Sequence, residues 1–229
     1  MKTIGLIGGI TWYSTMDYYR LLNEMVNKRL AGLHSAKVIL NSVDFSAIKT
    51  LTEQEDWDGL AAVMSNCAKS IEKAGGDCIM IGANTMHKIA DQVQAAVQIP
   101  VIHIADAVAA AILEKQVKKV ALLGTRYTMQ LDFYKDKLSK QGIAVNIPGE
   151  QEIEFINNCI YNEFGKGIFL PERKAQFMNI INRLIGEGSQ GIILGCTEIP
   201  ILVKQEDCAV PVFDTTLIHA QAAVDFALK

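Results

Sequence analysis

Short apolar runs alternate along the chain with longer stretches whose apolar residues recur at helical spacing. The short runs are about four residues long and rich in Ile, Val and Leu, as in strands that are buried on both faces of a parallel sheet. They predict strands at 4–7, 37–40, 78–81, 101–104, 120–123, 191–194 and 210–213. The longer stretches predict helices at 16–30, 60–73, 105–115, 131–140 and 173–185. The alternation predicts an α/β fold whose sites lie in loops at the carboxyl ends of the strands.

The sequence also repeats itself at about half its length. Three segments recur in the same order, at offsets of 116, 113 and 111 residues. The matching pairs are 2–9 with 118–125, 75–83 with 188–196, and 99–102 with 210–213. One interpretation is a duplicated βα unit, and the other is that parallel strands simply look alike.

The duplicated unit predicts two similar parallel-sheet αβα domains related by pseudo-twofold symmetry, with the active site in the cleft between them. The first domain is expected to span residues 1–103, with a C-terminal helix at 215–229 packing back on it. The second domain is expected to span residues 104–214. Two equivalent loops would then approach one ligand from opposite sides.

Charge and cysteine usage exclude several classes of function. The 22 basic and 25 acidic residues give a net charge of −3, which argues against a nucleic-acid or polybasic membrane partner. No apolar stretch is long enough for a membrane span. The five cysteines form no CxxC pair, so neither a disulfide framework nor a metal site is expected. Without a targeting signal at its start, the chain is expected to be cytoplasmic.

The loops after the third strand of each half carry the candidate chemistry. Residues 82–87 and 195–198 offer small residues, amides and hydroxyls at the start of a predicted helix. Backbone N–H groups and the positive end of a helix favour a carboxylate there. The first loops, at residues 8–11 and 124–127, add further backbone donors.

Five motifs in these loops and strands resemble the aspartate/glutamate racemase family. They follow in the family's order over essentially the whole chain, and the combination of NTxH with GCTE is specific. The motifs are GLIGGITWYST at 5–15, SVDF at 42–45, ANTMHK at 83–88, LLGTRYTM at 122–129 and GCTEI at 195–199. The resemblance implies two α/β domains and cofactor-independent racemisation of a small acidic amino acid, usually in a homodimer.

The resemblance also implies the two acid/base positions, which match Ala83 and Cys196. Inverting an α-carbon needs a base on one face and an acid on the other, and donors that stabilise the carbanion. A thiol suits this task because its ordinary pKa of about 8.5 is close to working pH. A helix N-terminus after Cys196 is expected to lower that pKa further.

Ala83 departs from the family pattern because alanine is neither an acid nor a base. Three interpretations stay open: a variant that traps substrate, a one-thiol racemase in which Thr85, His87 or water handles the second proton, or other one-thiol chemistry. The last includes a decarboxylase or lyase that protonates its carbanion from one side. A non-catalytic amino-acid binder is a further alternative. Cys78, the nearest cysteine in sequence, is expected to pack in the core.

The remaining candidates are assigned by position in the matched motifs. His87 is either a proton relay or a hydrogen-bond donor to its own loop, and Glu198 orients the thiol or a helix end. Arg126 is a candidate for the distal carboxylate of the substrate, whereas His34, His103 and His219 are interpreted as structural. The predicted substrate-binding residues are Ile10, Thr52, Asn84, Thr85, Thr125 and Thr197.

Overall fold

The computed structural model describes the whole chain, from Met1 to Lys229. The chain divides into two compact units. The first comprises Met1–His103 and His219–Lys229, and the second comprises Ile104–Ile218. Each unit is a parallel sheet covered by helices, so the α/β fold class is confirmed.

The first unit contains a three-stranded parallel sheet in the order β2-β1-β3. Its strands are β1 (Ile4–Gly8), β2 (Val38–Ser42) and β3 (Cys78–Ile81), and Val101 adds one further parallel bridge to Ile79. Its helices are α1 (Trp12–Leu30), α2 (Phe45–Glu53), α3 (Trp57–Lys73) and α4 (Ala90–Ala95), with a 3₁₀ helix at Thr85–Ile89. Residues from His219 onward in the last helix, Thr215–Ala227, also belong to this unit.

Alternate residues of these strands pack into two apolar layers, one on each face of the sheet. Ile7 and Ile81 face the layer built with α2, α3 and α4. Leu6 and Met80 face the other layer, which contains Tyr18 of α1 and residues of the last helix. Burial on both faces explains why these strands are continuous apolar runs.

The second unit contains a four-stranded parallel sheet in the order β5-β4-β6-β7. Its strands are β4 (Lys119–Gly124), β5 (Ala144–Asn146), β6 (Ile192–Gly195) and β7 (Val212–Asp214). Its helices are α5 (Ile104–Glu114), α6 (Arg126–Gln130), α7 (Asp132–Ser139), α8 (Glu150–Asn162), α9 (Pro171–Gly186) and α10 (Ile199–Leu202), with 3₁₀ helices at Phe164–Lys166 and Gln205–Asp207. The last helix of the chain, α11 (Thr215–Ala227), begins directly after β7.

The strand order within each unit is the same, which accounts for the repeat in the sequence. In the first unit the order is second, first, third, followed by Val101, and in the second unit it is second, first, third, fourth. The third strand pairs with the first through Ile81 and Ile7 in one unit, and through Leu194 and Leu123 in the other. The same pattern of crossovers is therefore built twice.

Gly9, directly after β1, requires the conformational freedom of glycine. Its φ is 85°, and a Cβ at this position would lie 2.1 Å from the carbonyl oxygen of Val43. The Gly9 N–H donates to Oγ1 of Thr15 at 2.7 Å, which brings the loop close to the first turn of α1. A side chain at position 9 would push this loop away from both neighbours.

Several element boundaries differ from the sequence prediction. The predicted strand 101–104 is reduced to the single bridge at Val101, and Ile104 already begins α5. The segment that follows β2 is helix α2, and Asp44 caps it by accepting the N–H of Ser46 at 3.1 Å. The prediction missed strand β5 and helices α2, α6 and α8, and it gave no bounds for the helices expected after the two candidate loops, which are the short α4 and α10.

Candidate active site

Cys196 lies in the loop directly after β6, where it is hydrogen-bonded to an acidic neighbour. Its Sγ donates to Oε2 of Glu198 at 3.0 Å, and the hydroxyl of Thr197 donates to the same oxygen at 2.5 Å. Cys196 is 8% exposed and Glu198 is 6% exposed. The loop therefore holds a thiol, a hydroxyl and a carboxylate in one hydrogen-bonded group.

The pKa of the Cys196 thiol is raised well above its ordinary value, mainly because burial disfavours the thiolate. The carboxylate of Glu198 raises it further, and the backbone N–H groups of Glu198 and Ile199 only partly oppose this. The expectation of a lowered thiol pKa was wrong, because burial and Glu198 outweigh the backbone N–H groups at the start of α10. Helix α10 has only four residues, so its dipole is weak compared with burial and an adjacent negative charge. Cys196 is consequently a thiol, and Glu198 is placed to accept its proton.

Replacing Glu198 by glutamine is expected to make Cys196 more reactive toward iodoacetamide at mildly alkaline pH. The change removes a negative charge beside the sulfur, so the thiol pKa falls and the thiolate fraction rises, by about tenfold for each pKa unit. The alkylation rate of the peptide containing Cys196, followed by mass spectrometry, measures this.

Glu172→Gln is the matched control because it removes the charge of an exposed glutamate elsewhere in the second unit. It should leave the alkylation rate of Cys196 unchanged. An equal rate in native protein and Glu198→Gln would show that the carboxylate does not control the thiol.

Ala83 occupies the position in the first unit that Cys196 occupies in the second. Each follows a glycine at the end of the third strand, and the two positions are 113 residues apart. Gly82 comes directly after β3, and Gly195 is the last residue of β6. The Gly82 N–H donates to the carbonyl of Ile7 at 2.9 Å, and Gly195 pairs with Gly124 of β4. Ala83 is half-buried and supplies only a methyl group.

The polar residues after Ala83 turn into a 3₁₀ helix rather than a long α-helix. Asn84 and Thr85 are both buried, and the Asn84 carbonyl accepts the N–H of His87 at 3.0 Å. Nδ1 of His87 donates to the carbonyl of Ala83 at 3.0 Å. The His87 ring, 2% exposed, therefore lies beneath its own loop. This geometry corresponds to the second of the two interpretations of His87.

The other predicted substrate-binding residues have structural contacts of their own. Thr125 caps α6, its Oγ1 accepting the N–H of Thr128 at 3.2 Å. Thr52 is buried in α2 and donates its hydroxyl to the Ile48 carbonyl at 2.7 Å. Ile10 is a buried member of the apolar layer that faces α2 and α3. If these side chains also bind substrate, they do so in addition to capping a helix or packing in the core.

Arg126, the candidate for a distal carboxylate, is paired with an acidic residue of its own unit. Its guanidinium forms an ion pair with Glu154, and its backbone N–H donates to Oδ1 of Asn157 at 3.0 Å. The side chain of Arg126 is 45% exposed. A substrate carboxylate at this guanidinium would have to compete with Glu154.

Sequence reasoning missed polar residues at the end of β7. The Thr215 hydroxyl donates to the Leu194 carbonyl at 3.0 Å, close to the start of the Cys196 loop. Asp214 accepts the backbone N–H groups of Thr216 and Leu217 at 2.9 and 3.1 Å, which caps α11. The available signal was the run DTT at 214–216, directly after a predicted strand.

The other cysteines are packing residues or lie outside this loop. Cys78 is fully buried in β3, as expected, and burial raises the pKa of its thiol to about 11. Cys67 and Cys159 are buried, and Cys208 is half-buried.

None of the helices is both long enough and apolar enough to cross a bilayer.

Comparison with known proteins identifies the family. The family model described as Asp/Glu/hydantoin racemase matches residues 7–223. The chain therefore belongs to this family, and its named relatives are amino-acid racemases, which are isomerases.

Individual relatives agree with this assignment over the full fold. A Yersinia pestis protein whose name places it provisionally among the Asp/Glu racemases is 48% identical, with a TM-score of 0.94 over 100% of both chains. An aspartate racemase homologue from Pyrococcus horikoshii is 37% identical, with a TM-score of 0.88 over 100% of both chains. A broad-specificity amino-acid racemase from Bacillus subtilis is 26% identical over 74% of this chain and 73% of its own length.

Proposed function

We propose that this protein inverts the α-carbon of aspartate or glutamate by proton transfer without a cofactor, and that Cys196 is the acid/base on one face of that carbon. The observation that carries the proposal is the hydrogen bond from the Cys196 thiol to Glu198, 3.0 Å long, in the loop that follows β6. Family membership supports the reaction class, because the named relatives are amino-acid racemases.

The proposed reaction begins when the Sγ proton passes to Oε2 of Glu198. The resulting thiolate takes the α-proton, and the electron pair of the broken C–H bond is delocalised into the α-carboxylate of the substrate. The backbone N–H groups of Glu198 and Ile199, which oppose the rise of the thiol pKa, would stabilise the thiolate in this step. No metal or organic electron sink is needed for these transfers.

The second proton has to come from a source other than residue 83. Ala83 carries no ionisable group, so we propose that water protonates the carbanion on the face that Cys196 does not serve. The hydroxide left behind takes the proton that Glu198 holds, and the thiol proton stays on Cys196. Charge and protons balance, and the enzyme returns to its starting state.

Stabilisation of the carbanion depends on donors directed at the α-carboxylate. We propose this role for Asn84, Thr85 and Thr197, which flank the two equivalent positions 83 and 196. Charge that develops in a buried site is stabilised far more strongly by fixed donors than by water. The buried Asn84 and Thr85 suit this requirement.

Solvent-deuterium exchange at the α-carbon tests the proposal. Both enantiomers of aspartate, glutamate, asparagine and glutamine are incubated in D₂O and followed by NMR and circular dichroism. The amides are isosteric neutral controls, so we expect an acid to exchange at least about tenfold faster than its amide. Because position 196 carries an ionisable side chain and the equivalent position 83 does not, one enantiomer of that acid should exchange faster than the other. No exchange and no racemisation with either acid would overturn the proposal.

A one-thiol decarboxylase or lyase is the second candidate, and the observation that favours it is Ala83. Chemistry that removes a carboxyl group and protonates the carbanion on one side needs a single thiol. Release of CO₂ from a substituted malonate, without exchange at the α-carbon of amino acids, would select this function over racemisation.

A further inference from the structure

Three imidazoles and one phenol form a buried group beneath the Ala83 loop, entirely within the first unit. The His87 ring centroid lies 4.8 Å from that of His103 and 5.4 Å from that of His219, both in edge-to-face geometry. The Tyr18 hydroxyl is 3.0 Å from Nδ1 of His219. His87, His219 and Tyr18 are buried, whereas His103 is half-buried.

The hydrogen bonds in this group fix the tautomers of two of its histidines. A carbonyl oxygen can only accept, so the nitrogen facing it must carry the proton. His87 therefore has its proton on Nδ1, which faces the Ala83 carbonyl at 3.0 Å. His219 has its proton on Nε2, which faces the Ile102 carbonyl at 2.7 Å, and its Nδ1 accepts from Tyr18.

Both rings stay neutral at physiological pH. Burial lowers the pKa of His219 to about 3, and it lowers the pKa of His87 well below its ordinary value, with His103 contributing to the second shift. A neutral ring with a fixed tautomer donates from one nitrogen only. Nδ1–H of His87 therefore donates to the Ala83 carbonyl at every pH in the physiological range.

The bond from His87 determines the direction of the peptide unit between Ala83 and Asn84. In a trans peptide the N–H points opposite to the carbonyl of the preceding residue. Since the Ala83 carbonyl is turned inward to His87, the Asn84 N–H is turned away from the buried histidines. Reversal of this peptide would take the N–H inward and leave Nδ1 of His87 without its acceptor.

We propose that His87 is a positioning residue, supported by His219 and Tyr18, which aims the Asn84 N–H at the α-carboxylate of the substrate. The identity of the ligand rests on the proposed function, whereas the tautomer of His87 and the direction of the Ala83–Asn84 peptide do not. His87 touches no substrate and transfers no proton in this scheme. Its Nδ1 acts through the Ala83–Asn84 peptide.

Two substitutions at position 87 separate positioning from packing. In His87→Asn, a side-chain nitrogen bonded to Cγ can take the place of Nδ1 and donate to the Ala83 carbonyl. In His87→Leu, the side chain fills space but has no donor. We expect His87→Leu to raise KM for the acidic amino acid by about tenfold, with a smaller change in kcat, because one charge-assisted bond to the carboxylate is lost. His87→Asn should stay within about threefold of the native KM.

Thermal unfolding of each variant controls for loss of fold. If His87→Asn and His87→Leu raise KM equally while both remain folded, the imidazole acts only by packing and the proposal is overturned. His219→Gln keeps a nitrogen at the place of Nε2 and should resemble His87→Asn in its mild effect.

A spectroscopic measurement tests the same inference without turnover. Long-range ¹H–¹⁵N correlation of the imidazoles in the native protein should show His87 as the Nδ1–H tautomer and His219 as the Nε2–H tautomer, both unchanged between about pH 5 and pH 8. An Nε2–H tautomer of His87, or its titration in that range, would overturn the inference even in an active enzyme. Failure of the racemase proposal would instead appear as absent exchange with the expected tautomers in place.

Discussion

Replacing Cys196 by alanine is expected to lower α-proton exchange and racemisation by a factor of about 10³ or more, since a positioned acid/base commonly contributes that much. The thiol is the proton carrier in the proposed reaction, and without it Glu198, to which it donates at 3.0 Å, would have no thiol proton to accept. The measurement is the initial rate of deuterium incorporation into each enantiomer of the preferred acidic substrate.

The matched control is Cys208→Ala, in the same unit. Cys208 is half-buried and lies outside the Cys196 loop, so exchange should be unchanged. Both variants should unfold at nearly the native temperature, because each loses a single sulfur atom. Substantial exchange by folded Cys196→Ala would mean that another group removes the α-proton.

Replacing Ala83 by cysteine is expected to raise the rate of racemisation by a factor of about 10², since it adds a positioned acid where the proposed reaction relies on water. Position 83 is equivalent to position 196 in the strand order and register of its unit, and the side chain is half-buried. The new thiol would serve the second face of the α-carbon. Racemisation, measured by circular dichroism, should therefore increase more than the exchange that Cys196 alone catalyses.

Ala83→Ser controls for size, because a hydroxyl occupies nearly the same space as a thiol and is a far weaker acid. It should leave racemisation close to the native rate. If Ala83→Cys racemises the substrate no faster than Ala83→Ser does, position 83 takes no part in the second proton transfer. Any inversion of the α-carbon by the native protein would then require a proton donor at another position.

The central strands could be predicted from sequence because they are buried on both faces. β1, β4 and β6 each lie between two strands, and β3 lies between β1 and the single bridge at Val101. Each of the four is an apolar run within one residue of its predicted bounds. β5 is an edge strand of only three residues, Ala144–Asn146, and its identity depends on pairing with β4. Such pairing is not visible in a single short segment.

Helix α8 was missed although its sequence contains the signal. Ile153, Ile156 and Ile160 recur at helical spacing and are buried in the second unit. The buried face of α8 is as regular as that of α1, which the same pattern did predict. The strand predicted at 101–104 failed because its apolar residues are divided between one bridge and the start of α5.

The candidate site could be located from sequence, but its electrostatics could not. The motif around Cys196 marks the loop, whereas the direction of the thiol pKa depends on burial and on the side-chain conformation of Glu198. The buried group around His87 includes Tyr18 and His219, which are 201 positions apart in the sequence. A pattern within one short segment does not predict such a contact. Substrate contacts, a homodimer and a cytoplasmic location stay predictions.

The Cys196–Glu198 hydrogen bond lies within three consecutive codons, and this has an evolutionary consequence. Both partners are encoded close together and are therefore inherited together. If the two halves descend from one duplicated half-gene, the proposed reaction implies that the first copy lacks the thiol while the second keeps the Cys196–Glu198 pair. Under the proposed function, a single substitution at position 83 would change the balance between protonation of the α-carbon on one face and on both faces.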